Sequence, residues 1–255
     1  MDELIKQFYI ISNKKWIKGI NNLTNSVGLT FESLLNKCQD SLFFPDYFGI
    51  EIKCTQRFSH YPITLFSCSF DGKYLYQMNE LLIKYGTQDL IYKERKILIS
   101  KLSYQNKTLV NGKYFFKIDI DEEKERLYLS IYDLNNNLLD KNAYINFSTL
   151  KNKLELKLSK LAVVWASKKK INNQLYFRYY KMIIYKLTSF DNFINLIKKD
   201  IIIINIIGRI SRSGIEAGRQ RNKNLVFQIS KDNIIKLFEP LKIIDTDLDS
   251  NFQIL

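Results

Sequence analysis

The run Phe44-Pro45-Asp46-Tyr47-Phe48-Gly49-Ile50-Glu51-Ile52-Lys53-Cys54 constrains this chain more than any other stretch. Pro45 ends any helix that precedes it, and Gly49 opens a segment in which Ile50, Ile52 and Cys54 alternate with Glu51 and Lys53. That period of two predicts a half-buried strand with one apolar face and one polar face. Side chains two residues apart on a strand project the same way, so Glu51 and Lys53 point together, and Asp46 can reach the same space.

Two carboxylates beside an ammonium suit phosphoryl transfer. Carboxylate oxygens are hard ligands for Mg2+, with Mn2+ as a substitute, and Mg2+ needs only one or two of them alongside water and phosphate oxygens. The metal polarises the phosphate and acidifies a bound water, while Lys53 orients that water and offsets charge on phosphorus. No serine or cysteine nucleophile is required. A solvent-facing Glu/Lys pair on an edge strand is the competing reading of the same residues.

At 255 residues the chain is long enough for a sizeable core, as one large domain or two closely associated lobes. No apolar run approaches a membrane span and no basic-then-apolar leader opens the sequence, so a soluble intracellular protein is expected, with no membrane partner. Cys38, Cys54 and Cys68 lack metal-ligand spacing, and the sole histidine, His60, sits in a turn-like Ser59-His60-Tyr61-Pro62, which argues against Cys/His zinc chemistry and a His-based triad. The net charge of +13 points to nucleic acid. Of eight arginines, Arg209, Arg212, Arg219 and Arg221 fall in one short window, with Lys223 just beyond.

Taken in order, helices are expected over Leu4–Trp16 and from Ser26 to about Cys38, the second carrying Glu32, which is either a solvated helix residue or a neighbour of the Asp46 cluster. Residues 63–70 read as a strand pairing antiparallel with the Glu51 strand, and Tyr74–Tyr85 as a helix. A strand over 91–102 and a meander over 113–121, 126–133 and 138–145 follow. Asp119 and Asp121 are weak candidate metal ligands, because no lysine is seen in strand register with them. Phe147–Leu161 reads as an amphipathic helix with lysines on its polar side. Ala162–Ile171 and Leu175–Leu187 form a hairpin around Asn172-Asn173, with lysines suited equally to solvent or to a phosphate backbone. A short helix capped by Thr188-Ser189 precedes a buried Ile201–Ile207 strand. Gly208–Asn224 is expected as an arginine-rich loop, followed by a Leu225–Ile229 strand, a helix over Asp232–Phe238 and a polar, disordered tail from Asp245.

These residues resemble the MvaI/BcnI family of type II restriction endonucleases, related to the mismatch-repair nicking enzyme MutH. Gly28-Leu29-Thr30-Phe31-Glu32-Ser33-Leu34-Leu35 is similar to the family's G-x-T-L-E-x-L-L helix. Pro45-Asp46 with Gly49-Ile50-Glu51-Ile52-Lys53 is similar to its P-D…G-x-E-L-K core, followed by Thr64-Leu65-Phe66 as its T-L-F strand. Gly208-Arg209-Ile210, a basic segment and Val226-Phe227-Gln228-Ile229 look like its DNA-reading part. Where the family often has His-Gly-Thr, Lys223-Asn224-Leu225 stands here, so that histidine's base contact does not carry over.

The resemblance implies an α/β (mixed α+β) PD-(D/E)xK nuclease core with a central sheet flanked by helices. It implies a single restriction-endonuclease-like domain whose two lobes form a DNA cleft, with a catalytic lobe over roughly 1–110 and recognition within roughly 111–245. Asp46, Glu51 and Lys53 would be catalytic, the two carboxylates holding Mg2+, with Glu32 in support. The enzyme would act on double-stranded DNA as a monomer, one strand at a time, beside a methyltransferase encoded with it rather than bound to it. Arginine reaches guanine O6 and N7 bidentately, so Arg209, Arg212, Arg219 and Arg221 suit a GC-containing site, while phosphate contacts are the commoner use of such residues. A MutH-like nicking enzyme and a non-catalytic DNA-binding module remain the alternatives.

Overall fold

The computed structural model describes residues 1–35, 45–71, 78–212 and 214–249. Phe44, Cys38 and the rest of the second helix beyond Leu35, the Tyr74–Gln77 start of the next helix, and the end of the tail lie outside the described residues. In chain order the elements are α1 (Asp2–Asn13), β1 (Ile17–Lys18), α2 (Ser26–Leu34), β2 (Glu51–Gln56), β3 (Ile63–Cys68), α3 (Met78–Tyr85), β4 (Thr87–Gln88), β5 (Lys96–Leu102), β6 (Thr108–Val110) and β7 (Tyr114–Asp121). There follow β8 (Arg126–Tyr132), β9 (Leu138–Asn146), α4 (Phe147–Leu158), β10 (Lys160–Ile171), β11 (Gln174–Leu187), α5 (Phe190–Lys198), β12 (Ile202–Ile210), β13 (Gln220–Ile229), a 3-10 turn (Lys231–Asn233), α6 (Ile234–Leu237), β14 (Phe238–Asp245) and α7 (Thr246–Asp249). This is the mixed α+β architecture expected from the sequence. No helix among the described residues is long and apolar enough to cross a membrane.

The chain forms two compact units that alternate along it: Met1–Ile63, Glu155–Ser189 and the segment from Ile234 make the first, and Thr64–Leu154 with Phe190–Asn233 the second. The first is built on the β10–β11 hairpin. Its turn places Asn172 and Asn173 at φ 46° and 62°, the left-handed pair that a two-residue hairpin needs and that asparagine tolerates. Leu161 to Val164 and Ala166 are buried, so β10 is covered on both faces. Beside it lies β2, parallel, with Glu51 opposite Leu161 and Gln56 opposite Ala166.

Helices α1 and α2 cover one face of this sheet. Leu4, Phe8 and Ile11 recur at helical spacing and pack with Val27, Phe31 and Leu35 against Ile50, Ile52, Val164 and Tyr179. Each large apolar side chain buried in this way contributes roughly 1.5–3 kcal/mol. Tyr179 fixes the depth of α2, because its hydroxyl donates to the Val27 carbonyl at 2.7 Å and its ring meets Phe31 at 5.0 Å.

In the second unit, one sheet runs β3-β13-β12-β5-β4 and the meander β6-β7-β8-β9 forms another. Phe193 of α5 meets Phe66 of β3 and Phe227 of β13, each at 5.8 Å between ring centres.

Several expectations are corrected here. Residues 63–68 do not pair with β2; β3 neighbours β13, and β2 takes β10 as its parallel partner. The physical reason lies in β10, whose continuous apolar run suits a strand covered on both faces and flanked by neighbours, whereas the chain leaves β2 at Arg57 through a Pro62-containing connection. Nor is Gly208–Asn224 one loop. Strands β12 and β13 extend through it, pairing Gly208 with Asn222, Arg209 with Arg221 and Ile210 with Gln220. Gly208 ends nothing: a Cβ there would stand 2.6 Å from Met78 Cε and 3.0 Å from Leu82, so glycine lets α3 cross the strand closely.

The last expected helix shrinks to the 3-10 turn and the single turn α6. Phe238–Asp245 pairs with β11 as a strand that the sequence reading did not contain, β14, and Thr246–Asp249 form α7 where a disordered tail was expected. Pro240 lacks a donor, and an edge position accommodates it.

Candidate active site

Tyr47 and Ile50 exchange both backbone hydrogen bonds at 2.9 Å around Phe48 and Gly49, whose φ angles are 45° and 77°. Only a residue tolerant of that conformation completes so tight a turn, and Gly49 does so without strain. The turn folds Asp46 back along β2, where its Oδ2 accepts from the Ile52 amide at 2.9 Å. Sequence spacing and this local hairpin together bring Asp46 to Glu51.

Glu51 is 1% exposed, as deep as Ile50 and Ile52. The strand expected to be half-buried is therefore buried on both sides here, which removes the solvated-edge reading of the Glu/Lys pair. Lys53 and Lys157 both approach Glu51 Oε1, Lys53 in a short hydrogen bond and Lys157 at 3.4 Å. Burial pushes the Glu51 carboxyl above the ordinary carboxylate range, Lys53 pulls it back, Asp46 pushes it further and Lys157 opposes that. Oε2 is buried and has no hydrogen-bond partner among the described residues.

A buried bare carboxylate oxygen next to a second carboxylate is costly unless a cation completes it. Among the described residues no group of three or more His, Cys, Asp or Glu side chains gathers as a metal site. The donor set is thus Asp46 and Glu51, hard oxygens in the number that Mg2+ takes from protein, and these residues fit such an ion.

Glu32 stands on α2, with Oε1 3.7 Å from where a Cβ on Gly28 would be. Its charge reaches Cys54: burial pushes that thiol well up, and Glu32 and Asp46 add to the shift. Burial likewise raises the Cys68 thiol to about 12, so neither described cysteine is a thiolate nucleophile at neutral pH. His60 is exposed in the connection after β2.

The expectation about Asp119 needs correction. Lys117 stands two residues before it on β7, and its Nζ meets Asp119 Oδ1 at 2.9 Å. A lysine does stand in strand register there, before the acid in sequence and not after it as at Glu51. Lys157 is a further site residue that the sequence does not single out. It is one of several lysines on the polar side of a helix, and no sequence signal ties it to Glu51.

The basic cluster lies in the second unit, on the β12–β13 hairpin. Arg209 and Arg221 face each other across the strands and are exposed, as is Lys223 two residues on. Partial desolvation and the neighbouring Arg209 and Arg221 charges draw the Lys223 ammonium below its ordinary range. No ion pair to Arg209 or Arg221 occurs among the described residues. A depression of about 360 Å3 is lined by Arg209, Arg212 and Arg221 with Ile97, Ile99 and Ile210.

Arg212 is placed differently, gripping both oxygens of Asp89, Oδ1 at 2.7 Å. Asp89 is 1% exposed and also accepts from the Ile91 and Tyr92 amides at 2.9 and 2.8 Å. The Arg212 guanidinium holds that carboxyl well below the usual carboxylate range. Arg219 pairs with Glu216 at 2.8 Å.

The family model for the MvaI/BcnI restriction endonuclease family matches residues 5–238. Among solved structures, the chain is similar to the complex of restriction endonuclease MvaI with its cognate DNA substrate, at 27% identity and a TM-score of 0.87, over 95% of this chain and 97% of that one. It is also similar to MvaI in the absence of DNA, at 27% identity and a TM-score of 0.57, over 94% and 95% of the two chains. No curated protein matches it. Matched in sequence over most of its length and in fold over nearly all of it, the chain belongs to the MvaI/BcnI restriction endonuclease family.

Proposed function

We propose that this restriction endonuclease hydrolyses phosphodiester bonds in double-stranded DNA at a specific sequence with Mg2+, or Mn2+ in its place, leaving a 5′-phosphate and a 3′-hydroxyl. The observation that carries this reading is the bare, buried Oε2 of Glu51 beside Asp46, with Lys53 on the other oxygen. Asp46 and Glu51 hold the cation. When bound, it supplies positive charge to the scissile phosphate and lowers the pKa of a coordinated water. Asp46 is kept in place by the Ile52 amide, Lys53 orients the attacking water and offsets charge on phosphorus, and Glu32 supports the site from α2.

Arg209, Arg221 and Lys223 contact DNA, for they are exposed cations on one hairpin. Arg219 joins them by exchanging Glu216 for phosphate. Arg212 contributes by shaping the segment it anchors to Asp89. The first unit is the catalytic lobe and the second the recognition lobe. The enzyme works in the cytoplasm as a monomer, nicking one strand and then the other, in a restriction-modification system whose methyltransferase is a genetic rather than a physical partner.

Purified protein with unmodified phage DNA should give fixed fragments in Mg2+, none in EDTA, and sequenced ends bearing 5′-phosphates. Supercoiled plasmid should pass through a nicked circle before the linear form. No cutting in either Mg2+ or Mn2+ would sink the proposal.

A further inference from the structure

Lys157 is a charged group at the candidate site that the sequence pattern does not contain. It sits on the last turn of α4 and its Nζ stands 3.4 Å from Glu51 Oε1, the same oxygen that Lys53 holds. A carboxylate carries two equivalent oxygens, and here the two ammonium groups share one of them. The other, Oε2, is left buried and without a partner among the described residues. Lys157 is 24% exposed and Glu51 1%, so the pair is shielded from water on the acid's side.

We infer that Lys157 is a positioning residue for the cleavage reaction: it clamps Glu51 Oε1, fixes the carboxylate so that Oε2 faces the cation, and keeps Glu51 compensated when Lys53 turns to the attacking water. The inference rests on Glu51 being the metal ligand proposed above. With Lys53 as sole partner, Glu51 would lose its compensating charge at the moment Lys53 is needed elsewhere, and one ammonium would have two incompatible positions to fill. A second ammonium on the same oxygen removes that conflict.

A purely electrostatic role predicts the opposite behaviour toward cations. Removing a positive charge from beside a cation site strengthens cation binding, whereas losing the clamp weakens it, because the carboxylate is then free to turn Oε2 away. Side chains that orient ligands in this way typically carry 10- to 100-fold in metal affinity or activity.

The test compares wild type with Lys157→Met, Lys157→Gln and Lys157→Arg, and with Lys160→Met as a control for an exposed lysine nearby. Two readouts are needed. One is the single-turnover cleavage rate at saturating phage DNA in Mg2+. The other is the Mn2+ midpoint for raising the melting temperature without DNA, which does not depend on activity.

Lys157→Met and Lys157→Gln should cut about 10- to 100-fold more slowly and take up Mn2+ at a midpoint several-fold higher. DNA affinity in Ca2+ should be unchanged, and Lys157→Arg should recover most of both losses. Wild-type rates in a folded Lys157→Met or Lys157→Gln protein would overturn the inference, as would a lowered Mn2+ midpoint. Failure of both variants to fold would assign Lys157 to stability and overturn it equally. If wild type itself does not cut, the proposed function fails instead, a different result from wild-type cutting that the variants share.

Discussion

The β2 edge and the β12–β13 hairpin both concentrate charge, and they do so in opposite ways. At β2 the charges are few, buried and mutually compensated: Glu51 meets two ammonium groups, and Asp46 is tied to a backbone amide. On the hairpin Arg209 and Arg221 are exposed and stand opposite each other, like charge against like. Buried charge is expensive and is kept only where geometry demands it, while exposed charge is cheap and screened. On the proposed function, the contrast separates an apparatus for chemistry from one for capturing a polyanion.

Substitutions should therefore fall into two kinetic classes. The largest effect is expected for Lys53→Ala, which should lower cleavage by roughly 10²- to 10³-fold or more while binding DNA normally in Ca2+. Undiminished cutting by that protein would end the contrast. Next, Arg209→Ala combined with Arg221→Ala should weaken DNA binding and flatten its salt dependence by about 0.9 in the log–log slope for each phosphate no longer neutralised. Titrations at several salt concentrations measure this, and the rate at saturating DNA should stay put.

Arg212→Ala tests whether every arginine of the window belongs with the hairpin pair. It should act on stability, lowering the melting temperature by a few degrees, since Asp89 is left buried without its partner. The pH dependence follows from the sign of the shift. Asp89 is depressed in the folded protein, so its contribution is complete above the unfolded carboxylate pKa of about 3.9 and is lost as pH falls through the lower folded value. Wild type should lose melting temperature below about pH 4 more steeply than Arg212→Ala. The smallest effect is expected for Tyr179→Phe, which removes the hydrogen bond to Val27 and should cost about 1 kcal/mol in denaturant unfolding.

Local geometry was legible in the sequence and neighbourhood was not. The Asn172-Asn173 hairpin, the β2 strand and the α2 helix could be read because periodicity and turn residues act within a few positions. Asp46, Glu51 and Lys53 were legible together because one turn and one strand bring them to the same place. The parallel pairing of β2 with β10 was not, since alternation identifies a strand without naming its partner. Lys157 was invisible for the same reason. Gly208, read as the start of a loop, instead continues a strand and makes room for α3.

The facing Arg209 and Arg221 pair has a consequence for handling as well as for recognition. Like charges directly opposite on neighbouring strands destabilise the pairing. Any polyanion that settles between them relieves that repulsion and raises the stability of the whole fold by mass action. In a lysate the most abundant polyanion is nucleic acid of arbitrary sequence. The protein should thus leave cells coated in it at low salt, shed it at high salt, and melt at a lower temperature once clean.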